Sequence, residues 1–146
     1  MTAETRILLA SGGSPSAVRA ARALRSFGIA ADAEIRILTV LSSGMQPCTG
    51  WEEELADTQE RAERLRDLVE SATTRPKVEL EAAAGRIDVC HRLGNPAEEI
   101  LQEVDEWGPQ LLVMGRRGLH GPERWLLGTV SEYVARRCKV PMLIVP

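Results

Sequence analysis

The sequence predicts an α/β protein organised around a parallel sheet, folded as one domain over residues 1–146. Short apolar runs alternate with amphipathic helical stretches along the whole chain, which is how consecutive βαβ units read. One run, Leu111-Leu112-Val113-Met114, is apolar at every position, as suits a strand buried on both faces. At 146 residues, with 44% apolar and 27% charged residues, the chain can bury a core without disulfides or metal.

Arg6-Ile7-Leu8-Leu9-Ala10 reads as the first strand, ended by Ser11-Gly12-Gly13-Ser14. From Pro15 to Phe27, Val18, Ala21 and Leu24 fall three apart while Arg19, Arg22 and Arg25 occupy another face, the pattern of an amphipathic helix. Ser14 suits its N-cap, Pro15 its first turn, and Gly28 its end. A second strand covers residues 34–41, and a loop follows through Gly44, Pro47 and Gly50. Residues 52–72 form a charged helix whose Leu55, Ala62, Leu65, Val69 and Ala72 make one continuous stripe. Residues 73–85 read as a broken connection: Pro76 interrupts them, and Lys77-Val78-Glu79-Leu80 alternates like a strand. Residues 87–93 alternate apolar and polar side chains, as expected near a sheet edge. After Gly94-Asn95-Pro96, a helix over residues 97–107 turns Ile100, Leu101 and Val104 inward, and Gly108-Pro109 stops it. A glycine-rich segment from Gly115 to Gly128 follows the fully apolar strand. It leads into a last helix over residues 129–137 and a fifth strand in residues 141–146.

Several function classes are unexpected on composition. The net charge of −3 gives no global attraction to nucleic acid or anionic membrane, and one Phe and one Tyr make no platform for stacking single strands. No apolar run approaches the length of a membrane span, and the start of the chain has no basic, apolar leader, so a cytoplasmic protein is expected. Cys48, Cys90 and Cys138 are odd in number and scattered, which fits reduced thiols. His91 and His120 have no ligand partner at metal spacing, and Cys90, beside His91, belongs to the opposite strand face. No nucleophile, base and orienting acid fall into a recognisable catalytic set.

In an open parallel sheet, ligands bind beyond the carboxyl ends of the strands. Three such ends carry glycine or small hydroxyl residues: Ser11-Gly12-Gly13-Ser14, Gly94-Asn95-Pro96, and the stretch from Gly115. The last is the richest. Gly115 and Gly118 let backbone N–H groups approach an anion, Gly128-Thr129 opens a helix, and Thr129 and Ser131 place hydroxyls in its first turn. Arg116 and Arg117 supply cations. The chemistry is that of a phosphate site.

Gly115-x2-Gly118-x9-Gly128-Thr129 matches the G-x2-G-x9-G-[S/T] pattern of ATP-binding members of the universal stress protein family. The flanking residues 126–134 and 140–145, and Gly94-Asn95-Pro96-Ala97-Glu98-Glu99-Ile100, resemble the same family. The resemblance implies a five-stranded parallel sheet in the order 3-2-1-4-5 with two helices on each face, a Rossmann-like layout for an adenine nucleotide. It implies a homodimer through the last strand, Met142 to Val145, whose apolar edge would otherwise stay unpaired. Members that hold ATP use the backbone near Val40 and Met114 around adenine and ribose. Residues matching Gly115, Arg116, Gly118, Gly128, Thr129 and Val130 surround the phosphates. The implied ligand is ATP, ADP or AMP, with Mg2+ accompanying the triphosphate.

The chain departs from the family where an Asp usually contacts the nucleoside: Gly12 stands there, next to Ser11. Two alternatives follow from that departure. One is a nucleotide-silent member acting by protein–protein contact. The other is an adenylating enzyme, since Ser11-Gly12-Gly13-Ser14-Pro15-Ser16 resembles the SGGxxS loop of ATP pyrophosphatases, although Pro15 replaces their Asp. The expected function is a dimeric regulatory module that holds an adenine nucleotide without rapid hydrolysis, because no general base or metal-binding acid accompanies the phosphate loop.

Overall fold

The computed structural model describes residues 4–41, 58–116 and 129–146. Strands β1 (Arg6–Ala10), β2 (Glu34–Leu41), β3 (Arg86–Leu93), β4 (Leu111–Gly115) and β5 (Met142–Val145) alternate with helices α1 (Pro15–Ser26), α2 (Thr58–Glu81), α3 (Pro96–Trp107) and α4 (Thr129–Arg137). The strands pair in parallel in the order β3-β2-β1-β4-β5, as the family resemblance implies. Among the described residues no helix is long and apolar enough to cross a membrane.

Strand side chains point alternately to the two faces, so β1 feeds two cores at once. Ile7 and Leu9, with Ile35, Ile37 and Val113, pack beneath Ala20, Ala21 and Leu24 of α1 and Leu80 of α2. Leu8 and Ala10, with Leu38, Leu112 and Met114, pack beneath Ala97, Ile100 and Val104 of α3 and Val134 of α4. Ile7, Leu8 and Leu9 are all fully buried, as a central strand requires. β3 lies at one edge, as expected, but its alternation runs the other way. Val89 and Leu93 are exposed while Asp88, Cys90 and Arg92 are half-buried, because Cys90 and Arg92 face α3 and its carboxylates. β5 at the other edge is half-buried throughout.

Two helix ends follow sequence chemistry. The Asn95 side-chain oxygen Oδ1 accepts from the Glu98 N–H at 3.1 Å, and Gly108 closes α3 at φ +68°. The third does not. Ser14 sits at the N-cap of α1, but its hydroxyl lies 2.9 Å from that of Ser16 and makes no capping bond. The buried stripe of α1 is Ala17, Ala20, Ala21 and Leu24, while Val18 stays half-buried.

The expected break over residues 73–85 is absent. Helix α2 runs on to Glu81, through Pro76, and Lys77–Leu80 is helical. Ala72, Thr73, Pro76 and Leu80 are buried together, so a 3.6-residue period continues where the sequence suggested period two. A helix interior proline costs about 3 kcal/mol through its missing N–H and its ring. Here the packing of that face, and of Glu79 against Arg22 at 2.9 Å and Arg25 at 3.0 Å, keeps the helix whole.

An ionic layer fastens α3 to β2 and β3. The Glu103 carboxylate accepts from Arg36 on one oxygen and Arg92 on the other, each at 2.7 Å. Arg92 also reaches Glu99 at 2.7 Å and Glu106 at 3.0 Å, and these carboxylates keep it firmly protonated. The Arg36 guanidinium lies 4.4 Å from the Trp107 ring centroid, a cation–π contact at the far end of the helix. Burial pushes the neighbouring Cys90 thiol up to about 11, with the Glu103 charge adding to the effect.

Gly115 ends β4 against the start of α1. A Cβ there would lie 2.8 Å from Ser16 Cβ and 3.0 Å from the Ser16 carbonyl carbon, so any side chain drives the helix away from the strand. Gly115→Ala is expected to lower unfolding stability by about 1–3 kcal/mol in urea titration, the usual cost of overpacking. Glu103→Ala, which takes the carboxylate partner from Arg36 while Arg92 keeps Glu99 and Glu106, is expected to cost about 1.5–3 kcal/mol in the same assay. The folded state holds the Cys90 proton above the unfolded value of 9.0. Its stabilising contribution is therefore complete below pH 9 and is lost as pH climbs towards 11. Site-resolved alkylation should find Cys90 slow at pH 8 in the folded protein, faster in denaturant, and fast in the folded protein only as pH nears 11.

Candidate functional site

The sheet reverses direction of winding between β1 and β4, and a cavity of about 150 Å³ opens beyond the carboxyl ends of these strands. Ala10, Leu38, Val40 and Met114 form its floor, Pro96 and Ile100 of α3 one wall, and Ser11, Gly12, Ser14 and Ala17 another. Gly115, Val130 and Ser131 close it on the β4–α4 side. Most of this surface is apolar, and among the described residues the lining contains no charged side chain.

Its polar character comes from the backbone. The last rung between β1 and β2 is the Ser11 N–H donating to the Leu38 carbonyl at 2.8 Å. In a parallel ladder both polar groups of a residue serve one neighbour, and successive residues serve alternate neighbours. Leu41 serves β3, accepting from the Gly94 N–H at 3.0 Å. Val40 consequently turns its N–H and C=O towards the side of β1, where β1 has already ended and the cavity begins. A donor and an acceptor stand side by side above an apolar floor.

Two helix N-termini face the same space, α1 at Ser14 and α4 at its first turn, and their exposed N–H groups favour an anion. Two of the wall hydroxyls are spent on the protein itself. Ser11 Oγ donates to the Ala72 carbonyl at 2.6 Å, and Ser131 Oγ donates to the Gly115 carbonyl at 3.1 Å. Ser131 was expected to offer its hydroxyl to phosphate; its proton instead ties α4 to the end of β4. Gly12 has no heavy atom within 4 Å of where a Cβ would stand, and its backbone is not left-handed.

The structure brings together Ser11, Gly12, Val40, Met114, Gly115, Val130 and Ser131 of the residues expected from sequence. Arg116 follows Gly115 directly, with its N–H donating to the Val145 carbonyl at 2.7 Å, and it is not among the lining residues. Thr129 begins α4. Gly118 and Gly128 lie outside the described residues, as do Arg117, His120, Trp125, Trp51 and Cys48. Sequence reasoning missed Ala10, Leu38 and Ile100 as floor and wall, because an apolar residue that lines a cavity reads like one that fills a core. Pro96 carried a signal, its place in a strand-end loop. The Cys138 thiol donates to the Val140 carbonyl at 3.4 Å. Among the described residues no three His, Cys, Asp or Glu side chains are grouped to hold a metal.

Residues 4–146 match the Universal stress protein family. A universal stress protein of Thermus aquaticus is 34% identical over 145 residues, covering 95% of this chain and 96% of its own. A universal stress protein solved in complex with cAMP is 28% identical and superposes with a TM-score of 0.66 over 99% of this chain and 98% of its own. UspA from Lactobacillus plantarum, at 18% identity, shares the fold with a TM-score of 0.79 over 99% of this chain and 100% of its own. Strand order, a cavity at the point of reversal and a match across nearly all of the sequence agree: this chain belongs to the universal stress protein family.

Proposed function

We propose that the protein binds an adenine nucleotide in this cavity and acts as a non-catalytic, dimeric regulatory module in the cytoplasm. The observation that carries the reading is the Val40 backbone pair over an apolar slot. Adenine presents a ring acceptor beside an exocyclic amine, the complement of one N–H and one C=O. At about 150 Å³ the slot suits a base, being smaller than the roughly 300–1,000 Å³ typical of whole-ligand pockets. The ribose and phosphates then extend over Gly12 and Gly115 towards the N-termini of α1 and α4. Mg2+ accompanies the triphosphate rather than a protein carboxylate, since the described lining has none. Among the described residues the lining holds no acid or imidazole to activate water, which supports holding over turnover. The cAMP-bound relative supports an adenine ligand.

The dimer joins through β5. Among the described residues that strand ends the sheet, pairs only with β4, and leaves Met142, Leu143, Ile144 and Val145 half-exposed, an edge that a two-fold partner would cover.

Three outcomes test the reading. Millimolar ATP, ADP or AMP should raise the melting temperature in proportion to the logarithm of ligand concentration, whereas Ala10→Leu, which fills the floor, should remove the shift. A protein whose melting point ignores all three nucleotides is the nucleotide-silent alternative. Gly12→Asp enters open space and supplies a carboxylate at the nucleoside end, so calorimetry should show about tenfold tighter binding. Ile144→Glu should halve the mass found by sedimentation equilibrium while the circular dichroism stays native.

A further inference from the structure

Ser11 and Ala72 are 61 positions apart, yet a short buried hydrogen bond joins them, the Ser11 hydroxyl donating to the Ala72 carbonyl at 2.6 Å. That carbonyl is available because of Pro76. Within an α-helix the N–H of each residue bonds the carbonyl four positions earlier, and proline has no N–H. Nothing within α2 can take the Ala72 oxygen along the regular ladder.

The surrounding turn is prepared in the same way. Thr73 Oγ1 donates to the Val69 carbonyl at 2.7 Å and Thr74 Oγ1 to the Glu70 carbonyl at 2.6 Å, a pattern of side-chain bonding that loosens and bends helices. The cavity wall leans on this turn. Gly13 has φ +84°, and a Cβ on it would lie 3.4 Å from Ala72 Cα. The Ser11 oxygen that donates to Ala72 also accepts from the Gly13 N–H, at a long 3.4 Å. Pro76 is itself buried and is not part of the cavity lining.

We propose that Pro76 is a positioning residue for the nucleotide cavity: by freeing the Ala72 carbonyl, it anchors Ser11 and thereby sets the turn that forms the cavity wall. The proposal rests on the reading of the cavity as a nucleotide site, and it makes α2 and the bound ligand energetically coupled. Coupling of this kind is reciprocal, so occupancy also steadies the middle of α2.

Pro76→Ala restores the helical N–H and lets it compete with Ser11 for the same oxygen. Helix stability should hold or rise, because a ladder bond is gained for two lost ring carbons, while ATP affinity falls by about fivefold, the worth of one hydrogen bond. A residue with a merely structural role would move both quantities in the same direction. Amide exchange at Gly12 and Gly13 in the ligand-free protein should accelerate in Pro76→Ala. Ser11→Ala should weaken ATP by a similar factor, and the double variant should bind no more weakly than Ser11→Ala alone, because both changes break one link. The proposal is overturned if Pro76→Ala keeps ATP affinity within about twofold of the parent with unchanged exchange, or if the two substitutions add. If the parent protein ignores ATP altogether, the nucleotide reading fails, and the exchange rates of Gly12 and Gly13 in Pro76→Ala still decide whether Pro76 holds the turn.

Discussion

The site depends on β1 stopping short of its neighbour. β1 ends at Ala10, opposite Leu38, while β2 continues to Leu41 alongside β3. A central strand that ends early leaves the next strand with backbone groups that no ladder can use, and buried backbone polar groups must be satisfied. Here the residue left without a ladder partner on that side is Val40, above a floor of small and aliphatic side chains. The same early exit sends the chain through Ser11 and Gly12 into α1, whose N-terminus returns to the gap. The cavity and the architecture therefore arise from a single event in the chain's path.

Close approach on the other side completes the enclosure. Gly115 lets the start of α1 sit against the end of β4, and the Ser131 hydroxyl draws the first turn of α4 to the Gly115 carbonyl. The wall hydroxyls thus act as fasteners. Ser11 holds the first turn to α2, Ser131 holds α4 to β4, and the cavity is left with backbone groups, helix N-termini and apolar surface.

Strand runs and the fold class were legible because β1 and β4 are apolar at successive positions. In β3 only the strand was legible and not its faces, since Arg92 and Cys90 turn towards α3 and leave Val89 and Leu93 exposed. The glycines at 12 and 115 and the loop at Pro96 were legible as breaks at strand ends. The second half of α2 was not. Pro76 reads locally as an interruption, and what tolerates it is the packing of its own face together with a hydroxyl from residue 11 on the Ala72 carbonyl, both invisible to any window along the sequence. Ser14 misled in the opposite sense, since its type and place fit a cap while its hydroxyl turns to Ser16. Ala10, Leu38 and Ile100 could not be told from core, because only the third dimension shows which apolar residues have a void beside them.

The charged layer beneath α3 has a thermal consequence. Hydration of ions becomes less favourable on heating, so the penalty for keeping Arg92, Arg36 and Glu103 out of water shrinks just as chain entropy grows more disruptive. The helix they fasten carries Pro96 and Ile100, one wall of the cavity. The hold of this flank therefore weakens less on heating than a purely greasy contact of the same extent would, since that contact stops gaining strength.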